Sequence, residues 1–300
     1  MRNRPLFTID SSVVSKPNVT LHSPTTMPKA SSFLWNRSMM MHVNCQGYVV
    51  SQFMQPEPTK YSFAPNIEAK TFMQPEHHYY AGHPGRFFYI KDNDTNEFVS
   101  APFAPVNSIL DGYAFTASKH EIIWKVFHFG VEVVIKLTLA EEEALELWSV
   151  EIRNLSNQSK SISIYPYFSI GYMSWMNQSA HFDAELNSIV ANFVTPYQKV
   201  DDYYKNAHLK EMTFLMADKN PVSWVANQSV FEGHGGIQRP DEIVASQLSN
   251  TSANYEVPVG VLQYQFELSS EDNERINLIF GPAKSKDELC AIRNKYLSST

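Results

Sequence analysis

Apolar and polar residues alternate along most of the chain between residues 86 and 170. In "VEVVIKLTL" the residues Val131, Val133, Ile135, Leu137 and Leu139 recur at every second position. In "ELWSVEIRN" the residues Trp148, Val150 and Ile152 share one side, opposite Leu147, Ser149, Glu151 and Arg153. A period of two marks a half-buried antiparallel strand. Strand signals at regular spacing also occur in "RFFYIK", "EFVSA", "YAFTASKH", "EIIWKVFHFG" and "KSISIYPYFSIGYM". Short polar turns such as "RNLSNQSKS" join them. Two later strands are predicted in "PVGVLQYQFEL" and "RINLIFGPA". Residues 177 to 241 are less regular, and no strand is assigned there. "GYVVSQFM" also alternates, and a long loop-like stretch follows it to Gly85. Loops of that length without secondary structure of their own tend to carry function.

The pattern changes at both ends. Residues 1–27 are polar and rich in Pro, Ser and Thr, and read as an extended arm with room for one strand. "SKDELCAIRNKYL" has Ser285 three residues before Glu288, a capping box, with Leu289, Ile292 and Leu297 near one helical face. The predicted division is an arm at 1–27, a β domain at 28–284 and a terminal helix at 285–300. The fold class is all-β, a large antiparallel β-sandwich with a short C-terminal helix.

Composition narrows the function. Three hundred residues bury enough surface to fold without a disulfide or metal staple. The net charge of −7, without a Lys/Arg-rich run, argues against nucleic acid or an anionic membrane as partner. Cys45 and Cys290 stand far apart, with no CxxC, so neither zinc nor redox chemistry is indicated and no cofactor is expected. No apolar segment follows Met1-Arg2-Asn3-Arg4-Pro5, and no apolar run approaches 18 residues. A cytoplasmic protein without a membrane span is expected. Aromatic residues reach 13% of the chain, which suits β packing and also sugar-facing surfaces, since pyranose C–H faces stack on rings.

Four stretches carry candidate chemistry. Asp92-Asn93-Asp94-Thr95-Asn96 begins like a calcium loop. Position 6 is Glu97 where glycine is required, and position 12 is Phe103 where a bidentate Glu is required, so a hairpin turn is expected. "EHHYYAGHPGR" gathers His77, His78, Tyr79, Tyr80, His83 and Arg86. It lacks HExxH spacing and suits a polyol or a partner surface better than a metal. "YMSWMNQSAHFDAE" offers Trp175, His181, Asp183 and Glu185, with the two carboxylates expected on one side of a strand. "FEGHGGIQRPDE" offers His234 and Arg239 in a Gly-rich loop without nucleotide-binding spacing.

Several stretches together resemble the N-terminal domain of glycoside hydrolase family 94, formerly glycosyltransferase family 36. They are "FLWNRSMMMHVNCQGYVVSQ", "FFYIKDNDTNEFVSAPFAPV", "HEIIWKVFHFGVEVVIKLTLAEEEALELWSVEIRNLSNQSKSISIYPYFSI" and "FEGHGGIQRPDEI" with the strands and helix after it. The resemblance spans roughly residues 29–299. The family contains cellobiose, cellodextrin, chitobiose and β-1,2-oligoglucan phosphorylases, and the phosphorylase region of cyclic β-1,2-glucan synthases. It implies a galactose mutarotase-like β-supersandwich, followed in relatives by a helical linker and a catalytic (α/α)6 barrel. No catalytic residue transfers onto this chain, which is expected to lack the barrel. The expected role is a non-catalytic domain of a phosphorylase system, with a β-linked gluco-oligosaccharide, the barrel and a second copy as partners. An alternative from another class is a sugar mutarotase or epimerase using His181, Asp183, Glu185 and His234 as acid and base. A third is a module for dimerisation or assembly only.

Overall fold

A computed structural model describes residues 7–10, 18–53, 59–60, 85–170, 178–192 and 212–297. In chain order the first strands are β1 (Phe7–Asp10), β2 (Asn18–Leu21), β3 (Ser31–Trp35), β4 (Met39–Asn44), β5 (Val49–Phe53) and β6 (Thr59–Lys60). Then come β7 (Arg86–Asp92), β8 (Glu97–Ala101), β9 (Gly112–Ala117), β10 (Glu121–His128), β11 (Val131–Leu139), β12 (Glu146–Asn154) and β13 (Lys160–Ser169). The last third holds β14 (Ser179–Asp183), β15 (Ser188–Asn192), β16 (Met212–Ala217), β17 (Ser223–Asn227), β18 (Ala253–Asn254), β19 (Pro258–Leu268) and β20 (Asn273–Ala283). Helices α1 (Gln228–Glu232) and α2 (Asp241–Val244) follow β17, and α3 (Lys286–Tyr296) follows β20.

These strands form an 11-stranded sheet in the order β1-β2-β9-β10-β11-β12-β20-β16-β15-β14-β18. A five-stranded sheet, β17-β19-β13-β7-β8, and a four-stranded sheet, β3-β4-β5-β6, complete the set. One apolar cluster draws residues from all three sheets, including Met41 of β4, Ile90 of β7, Ile135 of β11 and Ile164 of β13. The large sheet therefore packs its inner face on the two smaller ones. The strands read from the sequence between residues 86 and 169 are all present. Four strands that periodicity did not mark, β14 to β17, lie in the region that reads as irregular. The arm holds two strands, which pair with each other and extend the large sheet through β9.

The sandwich has further layers outside. In β7 every residue is buried, because both faces are covered. Phe88 and Ile90 face the central core. Phe87 and Tyr89 face outward into a second cluster, closed by Phe231, Ile237, Ile243 and Leu248 from the segment around α1 and α2. A strand buried on both faces reads as a continuous apolar run, as "FFYI" does. A third cluster lies outside the large sheet, where Leu289 and Ile292 of α3 cover Val190, Phe214, Met216 and Ile279. Ser285 caps α3 as its spacing to Glu288 suggests: its side chain accepts from the Glu288 N–H, and Glu288 Oε2 reaches back to accept from the Lys284 N–H at 2.7 Å.

One polar node joins the three sheets. Arg86 on β7 and Glu146 on β12 form an ion pair with both side chains fully buried. Arg86 Nε and Nη2 donate to the two carboxylate oxygens at 2.9 and 2.8 Å, the two-pronged arginine geometry. Ser51 Oγ of β5 donates to the same carboxylate at 2.6 Å, and Trp148 Nε1 donates at 3.0 Å. Arg86 Nη1 donates to the carbonyls of Gly85 and Ser169. Its guanidinium carbon lies 4.1 Å from the Phe280 ring centroid and 5.2 Å from that of Phe168. Trp124 stacks on Trp148 at 6.0 Å with 9° between planes, beside this node.

Both ends of α3 are tied to distant loops. At its start Lys286 Nζ meets Asp183 Oδ2 at 3.0 Å and Glu185 Oε2 at 2.7 Å. At its end Lys295 pairs with Glu143, and Tyr296 Oη donates to Glu143 Oε2 at 2.8 Å. The bond from Lys295 outweighs a burial cost and, with that from Tyr296, pulls the Glu143 carboxyl down to about 2.

Two outcomes are expected in urea unfolding. Arg86→Met leaves Glu146 buried without its counter-charge and costs about 3–5 kcal/mol, whereas Arg86→Met with Glu146→Leu recovers at least half of that. Ser51→Ala, a milder probe, removes one bond to a charged group and costs about 1–3 kcal/mol. Equal losses in the single and double Arg86 variants would show that the pairing is not what matters. Glu143 binds its proton less tightly folded than unfolded, so its contribution is complete above about pH 4.5 and is lost as pH falls through about 2. The Tm gap between the wild type and Glu143→Gln is expected to close over that window; a gap independent of pH would refute the assignment.

Candidate functional site

The candidate residues fall into separate places. His77, His78, Tyr79, Tyr80, His83 and Trp175 lie outside the described residues. Arg86, taken from sequence as a sugar contact, has its guanidinium sealed in the node described above. A side chain at the inward parity of a strand covered on both faces cannot also meet a solvent ligand.

Asp92 to Asn96 is the turn of the β7–β8 hairpin. Asp92 Oδ1 accepts from the Asp94 N–H at 3.0 Å and the Thr95 N–H at 3.4 Å, an Asx turn. Asn96 takes the left-handed conformation, with φ at 62°. Lys160 Nζ sits 3.0 Å from Asp92 Oδ2. Both oxygens of the carboxylate that would open a calcium loop are thus already engaged.

His181 is exposed on β14, and its register partner Val190 belongs to the outer cluster under α3. Asp183 ends β14, and Glu185 lies in the turn after it, so the two do not sit side by side on a strand as expected. Asp183 Oδ1 accepts from the N–H groups of Glu185 and Leu186, and Lys286 bridges both carboxylates. Burial pushes the Asp183 carboxyl up, but Lys286 and those N–H groups outweigh it and hold it below its usual range. These carboxylates are an anchor for α3.

His234 and Arg239 are exposed in the loop between α1 and α2, over the outer face of the five-stranded sheet. Asn227 caps α1, accepting from the Val230 N–H. Phe231 then packs on Tyr89 and Tyr167, with ring centroids at 5.7 and 5.3 Å. Asp241 closes the loop from behind, accepting from the His234 N–H at 2.8 Å and the Gly235 N–H at 3.3 Å. The glycines make this approach possible. A Cβ on Gly235 would lie 1.9 Å from the Arg239 carbonyl oxygen, and Gly233 has φ at 54° with the Asp241 carboxylate against it. From below, Tyr89 Oη donates to the Ile237 carbonyl at 2.6 Å, and Lys91 Nζ donates to the Ile243 carbonyl at 2.8 Å. Burial pulls the Lys91 ammonium below its usual range.

His181, Asp183 and Glu185 therefore lie outside the large sheet, while His234 lies outside the opposite sheet. The four groups an epimerase would need do not converge on one sugar ring. Among the described residues no group of three His, Cys, Asp or Glu side chains is placed to hold a metal. No helix there is long and apolar enough to cross a membrane. Sequence reasoning missed Glu146 and Lys91. Glu146 had a signal: it shares the inward parity of Trp148, Val150 and Ile152, where a charge needs a partner.

An 11-stranded sheet laid over two smaller ones, with a helix outside, is a β-supersandwich. The chain belongs to glycoside hydrolase family 94: the model of its supersandwich domain, "Glycosyl hydrolase 94, supersandwich domain", matches residues 21–299. A cellobionic acid phosphorylase of Neurospora crassa is 48% identical over 276 residues, covering 92% of this chain and 35% of that protein. A solabiose phosphorylase of Paenibacillus borealis is 25% identical over 221 residues, covering 71% of this chain and 28% of that protein. A solved structure assigned as a kojibiose phosphorylase from the human microbiome shares the fold at 9% identity, with a TM-score of 0.53 over 98% of this chain and 36% of its own. The chain spans about a third of the length of these relatives.

Gly235→Ala is expected to cost about 1–3 kcal/mol by forcing the loop apart. His234→Ala, an exposed side chain, is expected to cost under about 0.5 kcal/mol. Thermal unfolding of both variants checks this, and a neutral Gly235→Ala would show that the loop relaxes freely.

Proposed function

We propose that this supersandwich is a carbohydrate-associated, non-catalytic part of a cytoplasmic, homodimeric glycoside phosphorylase acting on β-linked glucosides. It works beside a catalytic (α/α)6 barrel and helps to shape the sugar entrance. The observation that carries this reading is the match along residues 21–299, with 48% identity to a cellobionic acid phosphorylase over 92% of the chain. That relative makes cellobionic acid, an oxidised β-linked disaccharide, the first sugar to test. The geometry supports a non-catalytic role. Glu146, Asp183 and Glu185 are engaged by Arg86 and Lys286, and the candidate acid and base groups face opposite sides of the molecule. The exposed His181, His234 and Arg239 are the proposed sugar or barrel contacts on the described surface, with residues 77–83 and Trp175 beside them in the proposal.

The purified chain, incubated with cellobionic acid and inorganic phosphate, is expected to release no sugar phosphate by itself. Phosphate-dependent cleavage by this chain alone would overturn the proposal.

A further inference from the structure

The outer face of the large sheet has a place that the family resemblance and the candidate residues above do not use. β11, β12 and β20 are neighbours there, and their register sets two rows of side chains side by side. One row is polar: Lys136, Ser149 and Asn277. The next is largely apolar: Thr138, Leu147 and Ile279. Tyr296 and Leu297, at the end of α3, wall the rows to make a groove of about 150 Å³. It is smaller than the roughly 300 Å³ of a pocket that engulfs a drug-sized ligand, so it suits one ring held on one face.

The charged groups around the groove are engaged within the protein, its two ammonium groups by carboxylates. Lys136 Nζ is 2.6 Å from Glu121 Oε2. Asp218 accepts from both the backbone N–H and the side-chain amide of Asn277. Glu143 is held by Lys295 and Tyr296. What is left over is neutral. The hydroxyls of Thr138 and Ser149 make no side-chain hydrogen bond among the described residues, and the Asn277 carbonyl oxygen has no such partner either. Neutral donors and acceptors beside an apolar strip match a pyranose ring, with hydroxyls on its edge and C–H groups on its face. An anion would need a spare cation, and both nearby ammonium groups are paired.

We infer that this groove is an accessory site for one neutral β-glucoside ring, remote from the loop of His234 and Arg239. The inference rests on the carbohydrate reading above. Its position matters, because α3 forms its wall: a sugar bound there touches the helix and the sheet together.

The test is a calorimetric titration of the whole chain with cellobiose, with sodium gluconate as an anionic control. The wild type is expected to bind cellobiose saturably and gluconate not at all. Ser149→Tyr fills the polar row and is expected to weaken cellobiose binding at least about tenfold. Thr138→Val, which keeps shape and removes one hydroxyl, is expected to weaken it about threefold to tenfold while folding like the wild type. Cellobiose binding untouched by both variants overturns the groove and leaves the carbohydrate reading standing. Binding of gluconate in place of cellobiose also overturns it, as does no saturable binding up to about 10 mM. Neither result bears on the phosphate assay, which tests the non-catalytic role separately.

Discussion

Burying a charge in an apolar core is costly unless it is paired and its hydrogen bonds are met. Arg86 and Glu146 meet that condition only when three sheets are in register. β7 supplies the guanidinium, β12 the carboxylate and β5 the Ser51 hydroxyl. A slip of one residue in any of these strands would turn its member of the node to the opposite face. Apolar residues of similar volume would tolerate such a slip far better. The node therefore favours one stacking of the sheets over near alternatives. The aromatic rings around it, Trp148, Phe168 and Phe280, shield it from water and so sharpen that preference.

The layers outside the sandwich follow from the same alternation. Inward positions of β7 go to the core and the node, and outward positions go to Phe87, Tyr89 and Lys91. The rings of Phe87 and Tyr89 are too large and too apolar to face water, so a cover is required. The segment around α1 and α2 supplies it, tied by Tyr89 and Lys91 to its backbone carbonyls. On the other face, α3 covers the apolar half of the large sheet and leaves the polar half, around Arg153 and Arg275, to surface ion pairs.

Much of this was legible in the chain. Period two marked β9 to β12 because each has one face on the core and the other largely open, whereas β13, buried on both faces along most of its length, reads as a β-branched and aromatic run. It failed for β14 to β17 for a physical reason. β15 and β16 are covered on both sides, by the core and by α3, so "SIVAN" and "MTFLMA" lose their alternation. β14 and β17 are only five residues long. The candidate sites were less legible. Histidines and carboxylates attract notice by type, but type does not reveal partners. Asp183 and Glu185 resemble an acid pair until Lys286, about a hundred residues away, is seen between them. Arg86 resembled a ligand contact because it opens a strand after a histidine-rich stretch of sequence; its inward parity was the missing clue.

The two fastenings of α3 have a mechanical meaning. Lys286 grips the turn after β14, and Lys295 with Tyr296 grips the loop between β11 and β12. The two loops join the strand pairs β14–β15 and β11–β12, which have β16 and β20 between them in the sheet. A rod pinned at both ends to so broad a plate cannot swivel without the plate bending. The axis of the helix is thus a property of the whole sheet, and any polypeptide leaving Leu297 inherits a bearing set by residues more than a hundred positions upstream.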